Sequence, residues 1–377
     1  MGYKLAWQRA GQGAIATTEA EARELLTFVA ESVTEAKTGL LFLDVSSEVL
    51  SVKLLQAMSQ QAQVLIFQRE DLLGAGAASL AASLREQGFG VALRNVDLAL
   101  LQTHDPLLQH LTHAVVGHDH PELAEISEKM PSSLCLVLDD IPDWKKFDDC
   151  AALGACGFFE NLCLAPRESN APTLLGPQAM QILQLMQMVQ GNADMRHLEK
   201  VLKSDDNLSY KLLSYINSAG FGLKVEIDSP RHAVAMLGYA PLFRWLLLLL
   251  ARTNTARFCP ALMQAAMVRG RFAELLGHGV LSKREAENLF VVGMFSFLDR
   301  MLGIPIKEVL GLLALPEAVA QALILHEGVY GSVLELAEAC EREAGGAVGL
   351  AEALSMTPAQ VNQAHVSALA WVQAIKV

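Results

Sequence analysis

The 377 residues are 52% apolar and 19% charged, a composition that supplies large hydrophobic cores and excludes a disordered chain, while the length suits two domains or three. Lys and Arg total 29 against 41 Asp and Glu, a formal charge of -12, which argues against a broad nucleic-acid-binding surface. The acidity is uneven, with 12 basic and 23 acidic residues in 1–168 against 17 and 18 in the rest, so two parts of different electrostatic character are expected.

Met1 to Ala10 carries Lys4 and Arg9 without an apolar stretch, so no secretory signal is read there. The longest greasy run, Trp245 to Ala251, falls far short of the roughly 20 residues that span a bilayer. A cytoplasmic protein without membrane insertion is expected. Cys135, Cys150, Cys156, Cys163, Cys259 and Cys340 form no CxxC pair and lie mostly in apolar surroundings, so they read as reduced packing residues.

Along the first half, short runs rich in Val, Leu, Ile and Phe alternate with segments of helical periodicity. The runs are Tyr3 to Gln8, Gly39 to Val45, Gln63 to Gln68, Gly90 to Leu93, Ala114 to Val116, Leu134 to Leu138 and Phe158 to Leu164; Glu19 to Glu35, Gly76 to Gln87 and Trp144 to Leu153 read as helices between them. Such alternation predicts successive βα units around a parallel sheet or barrel, and the unbroken apolar character of the strands fits burial on both faces. Six or seven strands are one or two fewer than a closed (β/α)8 barrel requires, so an incomplete or modified (β/α) barrel is expected over residues 1–168.

The proline-rich string around Ala165 to Pro177 has linker composition, and the linker is placed at 169–177. Beyond it no strand pattern survives, and residues 178–377 read as an all-α domain. Its helices are predicted over Gln178 to Gln190, Met195 to Ser204, Leu208 to Ser218, Ser229 to Leu237, Pro241 to Thr253, Pro260 to Leu276, Lys283 to Leu302, Pro305 to Leu313, Pro316 to His326, Val329 to Arg342 and Pro358 to Ala374. Proline at several starts suits a first helical turn.

Candidate chemistry is sparse. His113, His118 and His120 with Asp119 offer metal-ligand types, but on a strand Asp119 points away from the face that His118 and His120 share. Glu70-Asp71 and Asp139-Asp140 follow strands, where a βα barrel carries catalytic groups; other strand ends carry Arg94-Asn95 and Gly117 instead. No dinucleotide-binding GxGxxG, no phosphate loop and no nucleophile elbow occurs. Between Ser229 and Ala273 there is no acidic residue, while Arg231, Arg244, Arg252, Arg257, Arg269 and Arg271 fall inside. The stretch reads first as arginines lying along apolar helices and second as a site for an anionic partner.

Several strings resemble the EAL-HDOD (YuxH-type) signal-transduction proteins of bacteria. Leu202 to Gly222 (LKSDDNLSYKLLSYINSAGFG), Ile227 to Val234 and Met236-Leu-Gly238 are similar to the HDOD signature, and Val292 to Asp299, Ala322-Leu323 and Glu327-Gly328 look like the later part of that domain. The first half resembles EAL domains in order and spacing. In that resemblance Lys4 stands at a metal-binding glutamate, Asp44 in the segment of a metal-binding Asn, and Gln68 at a further glutamate. Arg94 and Asn95 stand at paired aspartates, and Gly117, near Asp119, at the catalytic lysine. Asp139 and Pro142 belong to the next motif, with Pro142 on a glutamate position, and Glu160 replaces a glutamine of the last.

Active EAL domains hydrolyse cyclic di-GMP with two metal ions held by such acids. The resemblance therefore implies a degenerate EAL domain without phosphodiesterase activity, since Lys4 and Arg94 put cations where two metal ions would have to sit. Likewise Ser296 stands near the histidine expected in metal-dependent HD phosphohydrolases. No catalytic residue, metal or cofactor is expected in either half. What remains is a non-catalytic scaffold or adaptor in cyclic di-GMP type regulation, or, as the alternative, a receptor that binds a cyclic dinucleotide without cleaving it. The implied partner is a regulatory protein, with a homodimer as a further option, and its surface would lie around Asn217, Ser218, Phe221, Gly222, Arg231, Arg244 and Arg252.

Overall fold

A computed structural model describes residues 2–5, 19–32, 40–46, 50, 55–56, 63–72, 76–103, 105–159, 162, 175–217, 227–253, 260–278, 280–313, 315–342 and 346–374. The chain divides into two compact units, Met1–Cys163 and Leu164–Val377.

In the first unit the strands are β1 (Gly2–Leu5), β2 (Leu40–Asp44), β3 (Gln63–Phe67), β4 (Gly90–Arg94), β5 (His113–Gly117), β6 (Cys135–Asp139) and β7 (Gly157–Phe159). They form one seven-stranded sheet in sequence order with every neighbouring pair parallel. The helices among them are α1 (Glu19–Ser32), α2 (Ala77–Glu86), α3 (Leu98–Gln102), α4 (Leu123–Lys129) and α5 (Trp144–Ala152). Aspartates start two of these helices: Asp97 accepts from Leu100 N and Asp143 from Lys146 N.

Every residue of β3 is buried, as expected when side chains pack on both faces of a parallel sheet. Alternation sends Phe42, Val64, Ile66, Ala92, Val115 and Val137 into one inner cluster, joined by Cys135 and Phe159. The ring of Phe42 on β2 meets His113 on β5 at 5.2 Å and Phe159 on β7 at 4.9 Å. The sheet therefore curls into a nearly closed barrel in which Lys4 of β1 reaches to within 5.6 Å of the Phe159 ring. Among the described residues β1 and β7 share no hydrogen-bonded register.

One reading of the cysteines is corrected. Cys135 and Cys156 form a disulfide, with Cα atoms 5.9 Å apart, because the first opens β6 and the second immediately precedes the adjacent β7. Cys150 is buried and unbridged, Cys340 is half-buried and unbridged, and Cys163 and Cys259 lie outside the described residues.

The second unit is helical throughout its described residues apart from a single bridge between His278 and Leu281. Its helices are α6 (Pro177–Gln190), α7 (Met195–Lys203), α8 (Asp206–Ile216), α9 (Pro230–Leu237), α10 (Tyr239–Ala251), α11 (Pro260–Gly277), α12 (Lys283–Phe295), α13 (Leu298–Leu302), α14 (Ile306–Gly311), α15 (Glu317–Leu325), α16 (Gly328–Glu341), α17 (Ala347–Ala353) and α18 (Pro358–Ala374). Pro177, expected in the linker, is the first residue of α6. The single helix expected over Lys283 to Leu302 breaks at Ser296 and Phe297, where the Ser296 hydroxyl turns back to the Gly293 carbonyl at 2.7 Å. No single helix among the described residues is long and apolar enough to cross a membrane.

The centre of this unit is the contact of α11 with α12. A Cβ at Gly293 would lie 2.7 Å from the Arg269 carbonyl and from Gly270 Cα, and one at Gly270 would lie 2.9 Å from the Phe290 carbonyl. Two facing glycines thus let the backbones touch. Replacing Gly293 by Ala should destabilise the chain by about 3 kcal/mol through overpacking. Gly349→Ala, where nothing lies within 4 Å, should be neutral or mildly stabilising; urea unfolding compares the two.

His365 on α18 is stacked on Phe272 of α11 at 4.5 Å, and burial pushes its pKa from 6.5 down to about 4. Between those values the unfolded chain takes up a proton that the folded chain refuses, so this contribution to stability falls as pH drops from 6.5 toward 4. His365→Phe should flatten the loss between pH 6.5 and 5, measured by chemical unfolding at stepped pH.

Candidate functional site

Ligand sites of parallel βα folds lie at the carboxyl ends of the strands. In the first unit the inward-facing residues there are Lys4, Asp44, Arg94, Gly117 and Asp139. Arg94 occupies the middle: its Nε donates to Asp44 Oδ1 at 3.0 Å, Nη2 to Asp44 Oδ2 at 3.4 Å, and Nη1 to Asp139 Oδ2. The Arg94 and Asp139 side chains are each only 16% exposed. Burial pulls the Arg94 pKa down, but the two carboxylates outweigh it and raise it, so the guanidinium stays charged.

With the Lys4 ammonium near Phe159, two cations and two carboxylates line this end of the barrel. A guanidinium fork matches carboxylate geometry and holds both acids in fixed orientation. The strand ends β4 and β6 turn sharply after these residues, with Asn95 at φ 55° and Asp140 at φ 60°, a left-handed conformation that Asn and Asp tolerate.

Other expected site residues stand apart. Gln68 is exposed just after β3, its backbone amide donating to Asp71 at 3.3 Å. A Cβ at Gly117 would lie 2.9 Å from Asp119 Oδ1, so glycine lets that carboxylate fold back over the strand end. Pro142 is exposed, and Glu160 lies outside the described residues. His118 and His120 are not on a strand, because β5 ends at Gly117. The backbone amide of Glu122 donates to His120 Nδ1 at 3.2 Å, whereas His118 Nδ1 is buried without a partner. Among the described residues no three His, Cys, Asp or Glu side chains are placed to hold a metal ion.

The second unit holds a parallel arrangement that the sequence does not single out. Arg269 on α11 is 2% exposed. Its Nε donates to Glu341 Oε1 at 2.8 Å and Nη2 to Glu341 Oε2, while Nη1 donates to Glu338 Oε1 at 3.1 Å and to the Ser296 hydroxyl at 2.8 Å. The guanidinium lies 3.8 Å from the Phe297 ring centroid. Burial raises the Glu341 pKa, with Arg269 pulling against it. Glu338 also takes Arg342 at 3.0 Å and stands 3.6 Å from His326 Nε2.

The remaining arginines of that stretch divide. Arg244 turns inward to Glu274, which also takes Arg271, and packs 4.1 Å from the Phe290 ring centroid. Arg231 and Arg252 are exposed. Asn217 acts on the local backbone. Its side-chain amide donates to the Ile227 carbonyl and its side-chain oxygen accepts from the Ile227 amide, both at 2.8 Å. Ser218, Phe221 and Gly222 lie outside the described residues.

Residues 174–301, from just before α6 into α13, match the HDOD domain family. The helical unit carries an HDOD domain. Over 186 residues the chain is 30% identical to cyclic di-GMP phosphodiesterase CdgJ of Vibrio cholerae, covering 49% of this chain and 43% of that protein. It is also 27% identical over 151 residues to the uncharacterized protein YuxH of Bacillus subtilis, covering 39% of this chain and 37% of YuxH. The matched part thus spans less than half of each relative. No solved structure matches significantly. Within the HDOD match lie both facing glycines, Arg269 and Ser296.

Removing Arg94 alone leaves Asp44 and Asp139 without their counter-ion. Arg94→Met should cost about 3 kcal/mol, and adding Asp44→Asn with Asp139→Asn should recover most of it. Urea unfolding of the single and triple variants measures both.

Proposed function

We propose that the chain is a non-catalytic scaffold or adaptor in cyclic di-GMP regulation, built from an EAL-like barrel that has lost its metal chemistry and an HDOD domain that lacks the HD metal site. The observation that carries this reading is Arg94 held between Asp44 and Asp139.

The likeness to CdgJ, a protein named as a cyclic di-GMP phosphodiesterase, supplies the signalling context. An EAL-type phosphodiesterase would need two divalent cations at the barrel mouth, and the residues present do not fit them. A guanidinium occupies the space between the two carboxylates, Lys4 adds a second positive charge, and neither Asp44 nor Asp139 is left to coordinate an ion without losing its pairing with Arg94. A divalent cation there would face strong repulsion in a half-buried site. In the HDOD domain Ser296, near the position of an HD histidine, accepts from Arg269 instead.

A fold that keeps its core while its polar centres are neutralised internally is suited to holding partners. The exposed Arg231 and Arg252 belong to the surface proposed for a regulatory protein. The alternative, a receptor that binds a cyclic dinucleotide without cleaving it, draws on the same cations, Lys4 and Arg94, as phosphate ligands. Calorimetric titration separates it from a pure scaffold: the scaffold gives no saturable heat, the receptor does.

Incubation of the full chain with cyclic di-GMP and Mg²⁺ or Mn²⁺, followed by chromatography, should return the cyclic compound intact. Linear dinucleotide formed in proportion to protein, and abolished by Asp139→Ala, would overturn the proposal.

A further inference from the structure

The amino end of the barrel, opposite the mouth just described, holds chemistry of its own. Cys135 is the first residue of β6, Cys156 immediately precedes β7, and the disulfide between them ties the last two strands together. The 5.9 Å between their Cα atoms lies in the common range for disulfides. Cys135 is half-buried and Cys156 exposed, so neither is sealed in the core.

The parallel register sets His113 of β5 beside Cys135 of β6, on strands about 4.8 Å apart. Both face inward: Cys135 packs on the inner cluster, and the His113 ring meets the edge of Phe42. The Thr112 hydroxyl lies 2.8 Å from His113 Nδ1, which fixes the ring and leaves Nε2 for proton exchange. Burial first, and the charge of Arg85 second, lower the His113 pKa, keeping the imidazole in its neutral, proton-accepting form.

We propose that Cys135 and Cys156 form a thiol–disulfide redox site at the amino end of the barrel, reacting with low-molecular-weight disulfides such as oxidised glutathione, with His113 as the proton acceptor.

The step balances. His113 takes the Cys135 thiol proton, and the thiolate attacks one sulfur of oxidised glutathione, breaking its S–S bond and releasing one glutathione thiolate. That glutathione thiolate takes the proton from His113; the Cys156 sulfur then attacks the Cys135 sulfur of the mixed disulfide, and its thiol proton passes to the second glutathione as it is expelled. Two protein thiols are oxidised and one glutathione disulfide is reduced to two thiols. Neither buried Cys150 nor Cys340, whose thiol is pushed up to about 12 by burial and then by Glu341, is suited to compete.

The site is placed to matter for the barrel. β7 has three residues, all half-buried, and among the described residues it pairs only with β6. Its Phe159 packs on Phe42 and lies near Lys4, so a covalent tie at its start fixes the strand that nearly closes the barrel. In a reducing compartment such a tie is transient and follows the thiol pool.

The test uses the full chain, reduced and then equilibrated in glutathione buffers of stepped oxidised-to-reduced ratio, acid-quenched, alkylated and mapped by mass spectrometry. Cys135 and Cys156 should lose alkylation together, as one linked peptide pair lighter by two hydrogens, in a single two-electron transition. Cys156→Ser should instead hold one glutathione on Cys135. Cys135 and Cys156 both staying alkylatable at the most oxidising ratio, or pairing with other cysteines, overturns the site. His113→Gln should slow oxidation at pH 7 at least tenfold, against the roughly 100-fold or more that full acid–base assistance supplies, while leaving the midpoint ratio unchanged. An unchanged rate in that variant removes His113 from the chemistry.

Discussion

Each unit holds a guanidinium shared by two carboxylates, one at the barrel mouth and one buried among the helices. In the barrel, Arg94 of β4 joins Asp44 of β2 to Asp139 of β6; in the helical unit, Arg269 of α11 joins Glu338 and Glu341 of α16 and the Ser296 turn. Burying a charge costs several kcal/mol unless its hydrogen-bonding capacity is met, and in both places the fork geometry meets it. The surrounding fold is arranged to permit this. Strand alternation turns residues 44, 94 and 139 to one interior, and the facing glycines 270 and 293 bring α11 and α12 close enough for Arg269 to meet Ser296.

Much of the fold is legible in the sequence because each strand is a continuous apolar run and the longer helices carry a visible periodicity. All seven strands appear where apolar runs occur, and Asp97, Asp143 and Asp205 cap helices as their residue types foretell. Short helices such as Leu98–Gln102 and Ala347–Ala353 offer too few turns for periodicity to be visible. The break at Ser296 is equally hidden, since it depends on a hydroxyl and a buried arginine from another helix rather than on Gly or Pro.

The sites are less legible, because they depend on register. Nothing in the spacing of Cys135 and Cys156 signals a bridge; adjacency arises only once β6 and β7 pair. Arg269 looks in sequence like any other arginine in an acid-free stretch, and its two glutamates come from some 70 residues downstream. His113, His118 and His120 read as a cluster, yet His113 faces the amino end of the barrel and the other two lie in the turn at the opposite end.

In the proposed scaffold, internal ion pairing takes the place of an open metal site: Arg94 holds Asp44 and Asp139, and Arg269 holds Glu338 and Glu341. This is tested most directly by titrating the full chain with Mn²⁺ and following the electron paramagnetic resonance signal of the free aquo ion. If Arg94 and Arg269 already satisfy the acids, the signal rises in proportion to the metal added, with no saturable loss. A saturable loss of signal that disappears in Asp139→Asn or Glu338→Gln would contradict the assignment of these carboxylates to the arginines.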